Sequence, residues 1–239
     1  LKVARQLGDN QLMERKWGET EVTLQSALNW AAQVATPLGE LPGINDSLTA
    51  PLAASSWFLD AISLYQRGDW LRAGRITPAE VDFLHPIAAG LEPRDPEFRS
   101  VLLADTGFAV LRDDWSEASN YLLFDWGRHG GGHGHFDRLN FLLYAQGQPW
   151  VLDAGSAPEP NAAPELQESW HRQTLAHNTV LVDRQSQGPV DGKLVAFHSR
   201  PRYDVVAAES EAYPDLTHRR TVFHPRGGYV LILDELLNR

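Results

Sequence analysis

The chain of 239 residues contains no cysteine. That excludes a disulfide framework and a thiolate metal site, so any transition metal must be held by histidine with aspartate or glutamate. The same absence is compatible with cytoplasm and periplasm alike. No run of about 18 apolar residues occurs, which excludes a membrane-spanning helix. The first residues, LKVARQLGDNQ, carry neither an initiator methionine nor the apolar core of a signal peptide. The chain is therefore expected to be a fragment or a processed piece. Positive charge is also scarce: 21 Lys and Arg against 31 Asp and Glu leave a net charge of -10. Nucleic acid is excluded as a partner, because a phosphate-binding face needs clustered Lys and Arg. An anionic sugar polymer stays open, since Arg128, Arg138, Arg172 and Arg184 fall near His129, His133, His135, His171 and His177 in sequence. Internal repeats, low-complexity tracts, a Gly-x-Ser-x-Gly elbow, a phosphate loop and His-Glu-x-x-His are all missing.

With 43% hydrophobic residues, the chain can bury a sizeable core. Its first ninety or so residues read as helices. TEVTLQSALNWAAQVATPL places Leu24, Ala27, Leu28, Ala31 and Ala35 on one face before Pro37. SLTAPLAASSWFLDAISLYQRG puts Pro51 in a first helical turn, turns Leu52, Leu59 and Ile62 inward and stops at Gly68. In TPAEVDFLHP, Thr77 and Glu80 form a capping box around Pro78, and Pro86 closes the helix. GELPGINDS is a turn-rich connection. Beyond about Asp95 the period becomes alternating: GFAVLR, NYLLFDW, NFLLYAQGQPWVLD, TVLVDR, LVAFHS, YDVVAAES and RRTVFHPRGGYVLILDEL are short strand-like runs. Closely spaced strands of this kind predict a β-sandwich.

The segment GGGHGHFDRLNFLLYAQGQPWVLDAG, Gly130 to Gly155, concentrates the chemistry. Gln146 and Gly147 suit a two-residue turn that sets Asn140 roughly opposite Asp153. His135 reaches Asp153 only if the glycines at 130 to 132 and 134 let the chain curl back. TLAHNTVLVD offers His177 just before a strand. Two imidazoles and a carboxylate make a usual three-ligand set for zinc. His-Gly-His is not a specific metal motif, however, and the histidines read equally as hydrogen-bonded loop residues with Asp153 capping a turn. Glu165 and Glu168 read as a solvated loop face rather than a glycosidase pair.

Together with WHRQTLAHNTVLVDRQSQ, and with LPGINDS, DTGFAVLRDDW and RRTVFHPRGGYVLILDEL, that segment resembles the heparinase II/III-like polysaccharide lyases, the group of heparin-sulfate and oligoalginate lyases. The resemblance implies an α+β chain: residues 1–95 as the last helices of an (α/α) toroid and 96–239 as an antiparallel multi-sheet β-sandwich. It implies one structural zinc held by His135, Asp153 and His177, and His133 as the histidine facing the cleft. The implied reaction is β-elimination at a uronic acid, with His133 as base or as stabiliser of the enolate-like intermediate. The implied partner is an anionic uronate polysaccharide or oligosaccharide, the implied location periplasmic or secreted. Arg138, Trp170 and His171 are the expected substrate contacts, Trp170 reading equally as packing. The family draws a tyrosine acid from its toroid, but Tyr65 here reads as core or helix surface. The loop after Asp153 carries no tyrosine, so alginate specificity and the activity of this chain alone stay open. A silent carbohydrate-binding sandwich and a glycoside hydrolase are the competing readings.

Overall fold

The structure is a computed structural model that describes residues 15–17, 22–82, 87, 90–158 and 164–238. The chain divides into two compact units, Leu1–Pro42 with Ala50–Glu97, and Gly43–Thr49 with Phe98–Arg239. Among the described residues no helix is long and apolar enough to cross a membrane.

The first unit is built on short helices, preceded by the paired two-residue strands β1 (Lys16–Trp17) and β2 (Val22–Thr23). Helix α1 (Leu24–Val34) starts at a capping box in which Ser26 N donates to Thr23 Oγ1 at 3.1 Å and Thr23 N donates to Ser26 Oγ at 2.9 Å. Its buried residues are Ala31, Ala32 and Val34, whereas Ala27 of the expected face is exposed. Pro51 does not open the next helix. It lies in β4 (Ala50–Pro51), paired with β3 (Glu40–Leu41), and a 3₁₀ turn at Leu52–Ala54 intervenes before α2 (Ser56–Tyr65) begins. Phe58, Ala61 and Ile62 of α2 are buried, and Leu59 is half-buried.

The stop of α2 is Gln66, in a left-handed conformation with φ 54°. Gly68 instead opens α3 (Gly68–Ala73), where a Cβ would stand 2.3 Å from the Glu92 carbonyl oxygen. Trp70 of α3 is fully buried, stacked on Phe58, and donates its indole N–H to Asn29 Oδ1 at 3.0 Å. Tyr65 packs edge-on against Trp70, which is a core role. At α4 (Pro78–Asp82) the expected cap forms, Glu80 Oε2 accepting from Thr77 N at 2.6 Å and from Thr77 Oγ1 at 2.7 Å. The expected closure at Pro86 lies outside the described residues.

The second unit holds two antiparallel sheets. One runs in sequence order β5 (Val101–Leu103), β6 (Phe108–Arg112), β7 (Tyr121–Asp125), β8 (Asn140–Ala145), β9 (Gln148–Val151). The other runs β10 (Lys193–Ser199), β11 (Tyr203–Tyr213), β12 (Leu216–Pro225), β13 (Leu231–Asn238). Side chains alternate across a strand, so Ala109 and Leu111 of β6 and Leu122 and Phe124 of β7 share one face. They pack with Leu139 against Val206, Ala208 and Val222 of the second sheet. The antiparallel multi-sheet architecture that the resemblance implies is present.

TVLVDR does not form a ladder strand. Only Val182 and Gln185 bridge, around Asp183 and Arg184 at φ 49° and 59°. Asn178 N, just before it, and Thr179 Oγ1, at its start, are instead bonded to Asn140 Oδ1 and the Arg138 carbonyl. At the β8–β9 turn, Gln146 and Gly147 both take positive φ, as a two-residue hairpin requires.

The inward face of β12 is unusually polar: His218, Arg220, Val222 and His224 are buried in alternation. Each charged group there meets a carboxylate. His224 lies 3.1 Å from Asp113 Oδ1 and 3.4 Å from Asp204 Oδ2, and Asp204 also pairs with Arg226 at 2.8 Å. Burial opposes charge on His224, but the facing carboxylates of Asp113 and Asp204 outweigh it and raise the pKa above the ordinary histidine value.

A raised folded-state pKa gives stability that is full below the unfolded value of about 6.5 and is lost as pH rises through the folded value. The melting temperature should therefore fall between pH 6 and pH 9 more steeply in the native chain than in His224→Gln. Parallel slopes in thermal melts would remove His224 from that dependence.

Candidate metal centre

Between β7 and β8 the glycine-rich segment turns back on itself. Gly130 and Gly131 take φ 83° and 65°, and a 3₁₀ turn spans Gly131–His133. At Gly134 the chain passes so close to His129 that a Cβ would sit 1.4 Å from the His129 carbonyl oxygen. The turn is tied to the residues before His177: Arg172 Nη2 donates to the Gly134 carbonyl at 2.9 Å, Phe136 N to the Arg172 carbonyl at 3.0 Å and Thr174 Oγ1 to the Phe136 carbonyl at 2.5 Å. The two histidines of the turn consequently differ. The His133 side chain is 88% exposed, that of His135 0%.

Asp153 follows β9, and its side chain is fully buried. Its Oδ2 accepts from Asn140 Nδ2 at 2.5 Å and meets His177 Nδ1 at 2.6 Å, while Oδ1 accepts from Gly155 N at 2.8 Å. Asn140 Oδ1 in turn accepts from Asn178 N at 3.0 Å, which seats His177. Arg220 reaches from β12 to the carbonyls of Leu139 and Asn178, both at 2.6 Å, and is itself held by both oxygens of Asp234 at 2.7 and 2.9 Å.

His135, Asp153 and His177 thus converge, one ligand-capable atom from each lying within 4.8 Å of the others. Two ring nitrogens there, His135 Nδ1 and His177 Nε2, are buried without a hydrogen-bond partner. An unpaired buried acceptor costs about 1–3 kcal/mol, and a bare imidazole nitrogen is an ordinary zinc ligand. The donor set and these two nitrogens fit a divalent metal. His177 Nδ1 and Asp153 Oδ2 stand 2.6 Å apart, a close imidazole–carboxylate pair. Burial lowers the pKa of His135 despite its bond to Asp46. For His177 burial acts the same way, but the Asp153 bond and charge outweigh it and raise its pKa.

Arg138 is not a substrate contact. Its guanidinium is 1% exposed, donates to the Gly127 and Arg128 carbonyls and pairs with Asp137, so it holds the loop base from within. Burial pushes the neighbouring Asp125 carboxyl up to about 7 against the opposing charge of Arg138. Trp170 and His171 lie on a π-helical turn, Gln167–His171, that follows the short helix α5 (Pro164–Leu166). Trp170 is 46% exposed, and His171 Nδ1 sits 3.1 Å from the Ala154 carbonyl just beyond Asp153.

Two residues of the site were not singled out by sequence. Asp46, in the turn-rich LPGINDS connection, meets His133 Nδ1 at 2.8 Å and His135 Nε2 at 2.9 Å. Burial raises its pKa, but these imidazole bonds outweigh it and hold the carboxyl below its usual range. Gln167 is buried and donates to Asp46 Oδ1 at 2.6 Å. No spacing rule links either residue to the His-Gly-His turn.

Residues 95–239, more than half of the chain, match the model of the heparinase II/III-like C-terminal family. The chain belongs to that family. Heparinase II/III-like relatives include a heparin-sulfate lyase of Pedobacter heparinus, 25% identical over 78% of this chain and 28% of its own length. An alginate lyase of Stenotrophomonas maltophilia is 34% identical over 54% of this chain and 20% of its own length. The fold is shared with the crystal structure of heparan sulfate lyase from Pedobacter heparinus, with TM-score 0.74 and 23% identity, covering 99% of this chain and 35% of that one. A heparinase III structure aligns at TM-score 0.73 and 20% identity, covering 99% and 37%. The chain thus spans well under half the length of these heparinase II/III-like proteins.

Gly134→Ala should displace the turn and abolish high-affinity metal uptake, because backbone rather than a movable side chain blocks the methyl group. Gly132→Ala, with nothing within 4 Å of its Cβ position, should bind metal as the native chain does. Calorimetric zinc titration of both variants checks the contrast.

Proposed function

We propose that the chain is the C-terminal part of a polysaccharide lyase that cleaves uronate-containing glycans by β-elimination. In this reading residues 1–95 are the closing helices of an (α/α) toroid and 96–239 its β-sandwich partner. The observation that carries the proposal is the division within one turn: an exposed imidazole, His133, stands two residues from a buried one, His135, that faces Asp153 and His177. Family membership supports the reaction class, and the lyases among the relatives support a uronate polymer or oligomer as the substrate class. A periplasmic or secreted site of action accompanies that reading.

His135, Asp153 and His177 would hold one zinc ion, whose contribution is to tie the glycine-rich loop to the β9 exit and so to keep His133 at the surface. Zinc is the assignment because neutral imidazole with carboxylate suits it. The chemistry at the sugar needs a base near neutrality, which an imidazole supplies. His133 removes the C5 proton beside the carboxylate; the C5–H electron pair becomes the C4–C5 double bond, and the C4–O4 bond breaks as an acid protonates O4. Trp170, exposed on the π-helical turn, offers a stacking face for a sugar ring, with His171 beside it.

The native protein should contain about one zinc per chain by elemental analysis. His135→Ala and Asp153→Ala should lose it and melt at lower temperature. His133→Ala should keep the metal, while release of ultraviolet-absorbing unsaturated uronate by the intact protein falls at least a hundredfold. Equal metal loss in all three variants contradicts the division of roles. Reducing ends released without that absorbance would indicate a hydrolase, and no release from the intact protein a binding module.

A further inference from the structure

We propose that Asp46 is the positioning residue that sets the His-Gly-His turn in opposite tautomers, leaving His133 a bare nitrogen toward solvent and His135 a bare nitrogen toward Asp153 and His177. The proposal rests on His133 as base and His135 as ligand, and deepens that reading.

An ionised carboxylate only accepts hydrogen bonds. Its Oδ2 meets His133 Nδ1 and its Oδ1 meets His135 Nε2, so each of those nitrogens carries its ring's proton. A neutral imidazole has a single N–H. The bare atoms are then Nε2 on His133 and Nδ1 on His135. The first belongs to a ring that is 88% exposed, the second is buried without a partner. One carboxylate between two rings thus gives them unlike tasks: a nitrogen able to take a proton from a substrate, and a nitrogen able to bind a metal.

Asp46 is itself held in place. Gln167 Nε2 donates to Oδ1 at 2.6 Å, and the Gln167 Oε1 accepts from Ala157 N at 2.8 Å, which fixes the amide's orientation. The turn carrying Asp46 is closed by Ile44 N donating to Ser47 Oγ at 3.1 Å and docked by Ser156 N donating to the Ser47 carbonyl at 3.1 Å. His135 N donates to Asn45 Oδ1 at 3.3 Å. A solvated surface aspartate has no need of these attachments. The Asp46 side chain is 24% exposed.

The fixed donor from Gln167 makes the test directional. In Asp46→Asn the amide oxygen must stay on the Gln167 and His135 side, and the NH₂ group faces His133. His133 then has to accept at Nδ1 and carry its proton on Nε2, while His135 is unchanged. Long-range proton–nitrogen spectra of the histidine rings in the metal-free protein at pH 8 read this directly. The expected result is His133 protonated on Nδ1 in the native protein and on Nε2 in Asp46→Asn.

Zinc affinity of Asp46→Asn should stay within about threefold of native, whereas Asp46→Ala, which removes the acceptor for both rings, should weaken it about 10–100-fold. In the intact protein, Asp46→Asn should lower kcat about 10²–10⁴-fold with KM little changed, and Asp46→Glu should recover part of it. A His133 tautomer that is the same in the native protein and Asp46→Asn overturns the proposal, whatever the kinetics. If native protein takes up no zinc, the metal reading of His135 fails, and the tautomer spectra still decide the role of Asp46.

Discussion

A buried carboxylate needs partners, and the arrangement around the Asp153 side chain follows from that need. Its two oxygens are shared among Asn140, His177 and the Gly155 amide, and each partner is engaged in turn by another element. Asn140 holds Asn178; Asn178 and Leu139 give their carbonyls to Arg220; Arg220 is clasped by Asp234. This series of bonds runs from the exit of β9 in one sheet to β13 in the other. The apolar cluster around Phe124 and Val222 supplies the burial, and the polar series fixes how the two sheets are placed at the loop end. Such networks are worth keeping only when their members are satisfied. Along this series the bare nitrogens are His177 Nε2 and, across from it, His135 Nδ1.

The polar inward face of β12 belongs to the same logic. A strand that buries His218, Arg220 and His224 alongside Val222 is expensive unless each charge meets its opposite. Asp234, Asp113 and Asp204 meet them. Partner removal at any of these positions leaves an uncompensated charge, so the strand tolerates substitution less than its burial of a single valine suggests.

Much of this was legible from local pattern. Alternation gave the strands of the two sheets apart from β5, Gln146 and Gly147 gave the β8–β9 turn, and the glycines before His135 permitted the curl that brings it toward Asp153. What failed was anything decided by distant atoms. Arg138 stands among histidines in sequence and looks like a cation for an anionic ligand, yet backbone carbonyls at Gly127 and Arg128 claim it. TVLVDR has strand composition, but Asn178 and Thr179 are bonded sideways before a ladder can start. Pro51 and Gly68 carry helix-boundary signals whose positions were shifted by the β3–β4 pairing and by the Glu92 carbonyl. Asp46 gave no signal, because nothing in a seven-residue turn announces which side chains 87 and 89 residues later will use it.

That separation bears on how the molecule is made. Residues 43–49 belong to the sandwich unit although the chain on either side of them belongs to the other. During synthesis at about 5–20 residues per second, Asp46 leaves the ribosome roughly 6–24 seconds before the last of its hydrogen-bond partners, Gln167, 121 positions later. The turn gains its attachments in chain order, His133 and His135 first, then Ser156, and Gln167 last. Nascent chains halted before residue 133 would carry 43–49 without any of these attachments, as an open stretch that a protease can cut.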